Sequence, residues 1–297
     1  MNKNTQAHLA VLGANIIFAA NYSIVKFITP YYIHPFALNF VRVSISISLF
    51  WVLWLFNRGP IGIQRKHLGR FILCGITGVL INQLFFITGL SLTTSIHSSL
   101  LSLGTPIFIS IIAAWLIKEG LNFLKLIGLS FGVGGALLLI LHKDQNHTGT
   151  NVLLGDLLVI INAISYAFYL VLVRPLMASY SAMHVLRWVF TIGGFMILPI
   201  CASEFFVVNW RGFEISHFLA LGFVAIGATF FAYLFNVYGI SKIGSSATGA
   251  YIYTQPVFAA LIAIIFTGEH FSWIKAVAAI MIFIGVYLAN YKKKINF

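Results

Sequence analysis

Long apolar runs separated by short polar breaks are the dominant pattern of this chain. A membrane-spanning helix needs roughly 20 mostly apolar residues. Runs of that kind lie at 7–28, 34–56, 69–90, 94–117, 123–141, 153–174, 182–203, 217–238, 246–266 and 272–291. The breaks carry turn residues or charge, as at Thr29-Pro30. The pattern predicts an all-α integral membrane protein with ten transmembrane helices, named spans 1 to 10 below. The first run has no small-residue cleavage site behind it, so we expect a retained helix and not a signal peptide.

The composition agrees with this class. Of the 297 residues, 60% are hydrophobic and 8% are charged, whereas a soluble domain carries about 25% charged residues. The net charge is +12, but the basic residues are spread between apolar runs with no long Lys/Arg-rich arm, which argues against nucleic acid as a partner. Cys74 and Cys201 lie inside apolar runs without metal-ligand spacing. The expected partner is therefore the lipid bilayer, with no cofactor and no metal.

The distribution of Lys and Arg predicts the orientation, because cytoplasmic loops are enriched in these residues. With a cytoplasmic N-terminus, the outer loops hold only Lys143, Arg211 and Lys275. The inner side then holds Lys3, Arg58, Arg65, Lys66, Arg70, Lys118, Lys125, Arg174, Lys242, Lys292, Lys293 and Lys294. We expect a multi-pass protein of a bacterial inner membrane with both termini cytoplasmic.

The chain also repeats itself. Positions 106–139 and 256–289 align without a gap, so that Pro106 matches Pro256, Glu119 matches Glu269 and Gly135 matches Gly285. Five spans separate the two copies, and five is odd, so the second copy must enter the membrane with the opposite orientation. This predicts two inverted five-helix repeats, 1–145 and 146–297, around a central cavity. Inverted repeats are typical of carriers that work by alternating access.

The sequence resembles the EamA-type family of the drug/metabolite transporter superfamily over nearly its whole length. The matching stretches are FAANYSIVK at 18–26, Arg42, SSLLSLGTP at 98–106 leading to Glu119, and ATGAYIYTQP at 247–256 leading to Glu269. The sequence departs from the family's pattern at two positions. Phe18 stands where the family often has Trp, and His97 lies among the small residues that open span 4. The resemblance implies ten helices, cytoplasmic termini, and export or uptake of amino acids and related metabolites.

Basic residues inside the spans are the first candidates for a substrate site, because ionisable groups at membrane depth usually face a partner or a water-filled cavity. They are Lys26, Arg42 and Arg187, and they would make the site electropositive and favour a carboxylate. The alternatives are snorkelling to the outer headgroups for Lys26 and Arg42, structural pairing for Lys26, and a helix-tethering role for the two arginines.

Neutral polar and aromatic residues extend the candidate site. Among the amide side chains, those in spans 1, 3 and 8 are preferred as substrate contacts, because these spans resemble cavity-lining spans of the family. Tyrosines suit a small amphiphilic substrate, because each has an apolar ring and a hydrogen-bonding hydroxyl. The candidates are Asn21, Gln83, Asn236, Tyr166, Tyr169, Tyr233, Tyr251 and Gln255, the last two sharing a helix face. The alternative for the amides is hydrogen bonding between helices, and for the tyrosines a place in the core or against lipid.

Three further features bear on mechanism. Pro106 and Pro256 are expected to kink spans 4 and 9, because each removes a helical hydrogen bond. His97 is the candidate for proton coupling, since imidazole titrates near physiological pH; a packed or solvated histidine is the alternative. Gly128 and Gly132 would let span 5 approach a neighbour closely, either within the chain or in a homodimer.

These observations favour a secondary transporter of amino acids or related zwitterions and organic anions, and the resemblance to the family implies export. No phosphate-binding loop of the G-x-x-x-x-G-K-[ST] kind is present, so ATP is not the expected direct driver. A channel is the first alternative. An intramembrane enzyme is the second, although the chain lacks an H-E-x-x-H motif and paired intramembrane carboxylates.

Overall fold

All regular secondary structure in the described part of the chain is helical. The computed structural model describes residues 3–57, 59, 61–117, 123–141, 150–236, 238–239, 242–243, 251–268 and 270–290. The main helices are α1 (Lys3–Ile28), α2 (Pro35–Asn57), α3 (Arg65–Leu92), α4 (Ser95–Ser102), α5 (Thr105–Ile117), α6 (Phe123–Leu141), α7 (Val152–Ser179), α8 (Ala182–Phe206), α9 (Ile215–Asn236), α10 (Tyr251–Thr267) and α11 (Trp273–Asn290). Glu119 and Glu269, which the sequence alignment pairs, lie outside the described residues.

Six of these helices, α1, α2, α3, α7, α8 and α9, are long and apolar enough to cross a membrane. Shorter apolar helices lie where spans 4, 5, 9 and 10 are predicted. Many large apolar side chains point outward, among them Phe195, Phe206, Phe266 and Trp273. Exposed apolar surface of this extent suits contact with lipid and not with water. The prediction of a multi-pass helical membrane protein is therefore confirmed.

Predicted span 4 is interrupted in the structure, where Leu103 and Gly104 form a turn between α4 and α5. Pro106 is the second residue of α5, and its missing N–H cannot bond the carbonyl four residues earlier. That carbonyl belongs to Ser102, and the Thr105 hydroxyl donates to it at 2.7 Å. In α10, a 3₁₀ turn (Tyr251–Thr254) precedes the α-helical segment in which Pro256 is again the second residue.

Three helices contain widened π-helical segments, Ile76–Leu80 in α3, Phe223–Phe231 in α9 and Ala263–Thr267 in α10. Such segments are rare and occur frequently at functional sites. Gln83 lies three residues after the segment in α3, and Tyr233 lies two residues after the segment in α9. The local widening therefore affects the direction in which these two polar side chains point.

Five helix pairs make extensive contacts: α6 with α11, α2 with α8, α3 with α7, α3 with α8, and α1 with α10. The α6–α11 pair packs closely at glycines. A methyl group added at Gly285 would lie 2.6 Å from the Gly128 carbonyl oxygen, and one at Gly135 would lie 2.9 Å from the Ala278 carbonyl oxygen. The small residues of span 5 thus serve a contact within the chain, and the two helices run antiparallel.

Candidate functional site

A cluster of polar side chains lies between α2, α3 and α9 and is called the central polar cluster: Asn39, Arg42, Gln83, Thr229 and Tyr233. Arg42 is 4% exposed, and its Nε donates to the Thr229 hydroxyl at 2.6 Å. Asn39 Nδ2 donates to the Gln83 carbonyl at 3.1 Å, which ties α2 to α3. Tyr233 lies within electrostatic range of Arg42 and hydrogen-bonds with Gln83. One charged group and several neutral polar groups are therefore gathered at membrane depth.

Several buried polar atoms of this region have no hydrogen-bond partner within the described residues. They are Asn39 Oδ1, Arg42 Nη1 and Gln83 Oε1; on α1, the sequence candidate Asn21 also has an unpartnered Oδ1. Leaving a buried polar group without a partner costs about 1–3 kcal/mol, so a concentration of such atoms needs an explanation. A ligand or water that bonds to them is the simplest one.

Aromatic rings line the same region. Tyr166 and Tyr169 stack with ring centroids 5.9 Å apart, and both lie near Tyr233. Tyr233 also makes edge-to-face contacts with Phe18 at 6.0 Å and Phe190 at 5.7 Å. Phe18, which stands where the family often has Trp, therefore belongs to this aromatic lining. The structure brings together Arg42, Gln83, Tyr166, Tyr169 and Tyr233 of the sequence candidates.

The charge of Arg42 has no counter-ion among the described carboxylates, because each is engaged elsewhere. Glu204 lies 3.7 Å from His34 Nδ1, and Glu214 forms a capping box with His217 at the start of α9. The remaining one, Asp156, pairs with His97. The central polar cluster is thus electropositive, and its chemistry suits an anionic group.

His97 and Asp156 form a second polar centre away from Arg42. His97 Nδ1 lies 3.0 Å from Asp156 Oδ2, with side chains 2% and 0% exposed. The Thr93 hydroxyl donates to Asp156 Oδ1, and Lys26 Nζ donates to the carbonyls of Ser91 at 2.9 Å and Thr93 at 2.7 Å. Lys26 therefore caps the C-terminal end of α3, in line with the structural alternative.

Sequence reasoning missed Asp156 as a site residue, because it lies in the first turn of predicted span 6, near a span end. The available signal was Gly155, because a methyl group there would lie 2.6 Å from the Thr93 backbone nitrogen. A glycine beside an acidic residue at the start of a span can mark a close approach between backbones, which buries the neighbouring side chain.

Tyr251 and Gln255 face α1 in the structure. The Tyr251 hydroxyl lies 2.9 Å from His8 Nδ1, and Gln255 Nε2 donates to Asn15 Oδ1 at 2.7 Å. Their shared helix face, recognised in the sequence, thus forms a polar contact between α1 and α10. Asn236, another candidate, is half-buried near the end of α9.

Arg187 lies at a different depth from Arg42. Its guanidinium carbon is 4.9 Å from the Trp51 ring centroid and 5.4 Å from that of Trp54. These tryptophans follow Arg42 on α2 by 9 and 12 residues, which at about 1.5 Å per residue separates the two levels by about 13–18 Å. The two arginines therefore belong to two distinct places in the bundle.

The model of the EamA-like transporter family matches the chain twice, at residues 5–141 and 153–291. The chain belongs to the EamA-like transporter family. The resemblance noted in the sequence is thereby confirmed, and membership together with the six long apolar helices makes the protein a multi-pass membrane transporter of the drug/metabolite type.

Relatives of this EamA-like protein occur in archaea, bacteria and plants. It is 27% identical to an uncharacterized transporter of Archaeoglobus fulgidus, over 98% of this chain and 99% of the relative. It is 23% identical to the uncharacterized transporter YyaM of Bacillus subtilis, over 97% and 94%. The WAT1-related protein At3g53210 of Arabidopsis thaliana is 22% identical, over 96% and 85%. One solved crystal structure, 19% identical, shares the fold with a TM-score of 0.64 over 96% of both chains.

Proposed function

We propose that this EamA-like protein is a secondary carrier for a small metabolite with a carboxylate, such as an amino acid or an organic anion. The observation that carries the proposal is Arg42, which is buried, has no described counter-ion and keeps Nη1 without a hydrogen-bond partner in the described residues. Bonds between a charged donor and a carboxylate are stronger than neutral hydrogen bonds. Binding a carboxylate would satisfy Arg42 in a place where water is excluded.

The rest of the central polar cluster favours a zwitterion or an amphiphilic anion. Asn39 Oδ1 and Gln83 Oε1 are buried acceptors without described donors, and an ammonium group of the substrate would donate to them. The rings of Phe18, Tyr166 and Tyr233 supply an apolar wall. Sites of this kind, apolar with a few placed polar groups, are typical of small-molecule binding.

An inverted repeat supports transport by alternating access. Equivalent positions are about 150 residues apart, and the α6–α11 contact obeys this relation: Gly135 meets Ala278 and Ile282, while Gly285 meets Gly128 and Gly132. Because equivalent helices run antiparallel here, the two-fold axis that would relate the halves is perpendicular to them, in the plane of the membrane. Gln83 and Tyr233 are also equivalent positions, as are the π-helical segments of α3 and α9.

The polar contacts at the two ends of the bundle then act as gates. His8 on α1 and Asp156 on α7 each bond to a side chain of a neighbouring helix. Asp156 contacts His97 on α4, and His8 contacts Tyr251 on α10. In this proposal the central polar cluster lies between the two contacts. Breaking one while keeping the other would open the site to one side, and proton transfer at the His97–Asp156 pair would couple that step to a proton gradient.

Export across a bacterial inner membrane, with both termini in the cytoplasm, completes the proposal. It rests on the Lys and Arg distribution and on the resemblance to the family.

The test is counterflow in proteoliposomes with labelled amino acids and small organic anions. Saturable uptake driven by internal unlabelled substrate, with its half-saturation concentration raised in Arg42→Gln and unchanged in Arg211→Gln, is the expected result. Arg211 is an exposed arginine in a loop and serves as the matched control. Linear flux that ignores substrate on the opposite side would indicate a pore and overturn the carrier. Equal transport by the two variants would remove Arg42 from the site.

A further inference from the structure

A small pocket of about 90 Å³ lies between α2 and the beginning of α8. Its polar side is formed by Trp54, Gly59, Ser181, His184 and Arg187, and its apolar side by Phe50, Leu53 and Met183. Its volume is far below the roughly 300–1,000 Å³ of pockets that enclose whole ligands. It offers room for one compact chemical group and not for a metabolite. It is also about 13–18 Å along α2 from Arg42, as estimated from the helical rise.

The chemistry of the pocket is cationic. Arg187 is 4% exposed, its guanidinium lies over the rings of Trp51 and Trp54, and its Nη2 is 3.2 Å from His184 Nδ1. Packing against the tryptophan rings fixes the planar guanidinium by cation–π attraction. A guanidinium held in this way presents its N–H groups in one plane, the geometry that matches oxygen atoms of a phosphate group.

The surroundings add positive potential. Tyr180 stacks on His184 with ring centroids 4.9 Å apart. Its hydroxyl accepts from the Gln64 backbone N–H at 3.0 Å and lies 3.0 Å from His67 Nδ1. These bonds hold the start of α3 beside the pocket. The first residues of that helix include Arg65, Lys66 and Arg70, all exposed.

The pocket lies where a headgroup region is expected. The indole N–H of Trp54 donates to the Gly59 carbonyl at 2.8 Å, and that of Trp188 donates to the Ile61 carbonyl at 2.8 Å. Tryptophan is enriched at membrane–water interfaces, and these two rings fasten the loop between α2 and α3 over the pocket. The Lys and Arg distribution predicts that this is the cytoplasmic end.

We propose that this pocket binds a phosphate group, with Arg187 as the principal contact. The group would come from an anionic lipid headgroup or from a free phosphate. Basic pockets between transmembrane helices on the cytoplasmic side bind headgroups of this charge. This site is separate from the central polar cluster, and its existence does not depend on which substrate is carried.

Binding of defined probes to the purified full-length protein in neutral detergent tests the proposal. The probes are dioctanoyl phosphatidylglycerol, dioctanoylglycerol as the equivalent without phosphate, and inorganic phosphate. Native mass spectrometry counts bound lipid, and quenching of tryptophan fluorescence reports occupancy beside Trp51 and Trp54. We expect saturable binding of phosphatidylglycerol, no binding of dioctanoylglycerol, and at least tenfold weaker binding in Arg187→Gln than in Arg211→Gln.

The two sources of the phosphate group are distinguished by the third probe. Competition by inorganic phosphate supports a site for free phosphate, whereas binding of the lipid alone supports a headgroup site. Equal affinity of Arg187→Gln and Arg211→Gln for phosphatidylglycerol, or equal binding of dioctanoylglycerol, would overturn the proposal. If Arg187→Gln is not monodisperse on size exclusion, His184→Gln and Ser181→Ala take its place, and unchanged binding in both is then the overturning result.

Discussion

His97 Nδ1 lies 3.0 Å from Asp156 Oδ2, and this pair joins α4 to α7 in a part of the bundle that excludes solvent. The Thr93 hydroxyl and the Lys26 amine extend the contact to α3 and α1. Asp156 thus bonds directly to His97 and Thr93, and Lys26 is linked to it through the Thr93 carbonyl. A charge change at this point would act on the relative positions of these four helices.

Asp156→Asn is expected to impair coupling to a proton gradient while leaving exchange of the substrate across the membrane in place. An amide keeps the shape of the carboxylate but cannot exchange a proton, so accumulation driven by an imposed pH gradient should fall at least tenfold while counterflow persists. Uptake of the substrate identified by counterflow, with and without the gradient, measures both. The control is Glu204→Gln, which alters a partly exposed carboxylate 3.7 Å from His34. Gradient-driven accumulation equal to that of the control would exclude Asp156 from coupling.

Arg42→Gln is expected to weaken binding of carboxylate substrates about 10- to 150-fold. The estimate follows from the loss of one hydrogen bond to a charged group, about 1.5–3 kcal/mol, with about 1.4 kcal/mol per factor of ten. Arg42→Lys keeps the positive charge, and its affinity for carboxylate substrates should lie between those of the unchanged protein and Arg42→Gln. The half-saturation concentration in counterflow measures the effect. The affinity for a neutral analogue of the substrate should fall much less in Arg42→Gln than the affinity for the carboxylate substrate. An equal loss for the two ligands would contradict a contact between Arg42 and the carboxylate.

Gly285→Ala is expected to destabilise the α6–α11 contact. The added methyl would lie 2.5 Å from the Gly132 backbone nitrogen and 2.6 Å from the Gly128 carbonyl oxygen, and such overpacking typically costs about 1–3 kcal/mol. Gly13→Ala is the matched control, because nothing lies within 4 Å of a methyl group at that helical position. The midpoint of thermal unfolding in detergent should fall for Gly285→Ala only. Equal midpoints would show that the two helices are not in close contact.

Thr105→Val is expected to lower stability by about 0.5–1.5 kcal/mol, the net contribution of a typical intramolecular hydrogen bond. The Thr105 hydroxyl donates to the Ser102 carbonyl at 2.7 Å, and Pro106 has no N–H to replace it. Thr77→Val is the control, since the Thr77 hydroxyl donates to the Leu73 carbonyl, which also accepts from the Ile76 backbone. Thermal unfolding again measures the difference, and a loss as large in Thr77→Val would remove the special role of Thr105.

Local hydropathy determined the class of the protein. Each long apolar run becomes a helix for reasons contained in its own residues, because backbone groups in a bilayer must be satisfied within the segment. The family was also readable, since its motifs are contiguous stretches of sequence. The interruption near Pro106 was predicted as a kink because the missing N–H is a local property.

The partners of the polar side chains were decided only by the tertiary structure. Arg42 and Arg187 look alike in the sequence, yet one lies in the central polar cluster and the other beneath two tryptophans at another depth. Tyr251 and Gln255 were grouped correctly on one face, but that face meets α1. The physical reason is that transmembrane helices are apolar on most sides. Hydropathy therefore does not fix their rotation, which depends on close backbone approach at small residues and on hydrogen bonds between distant segments.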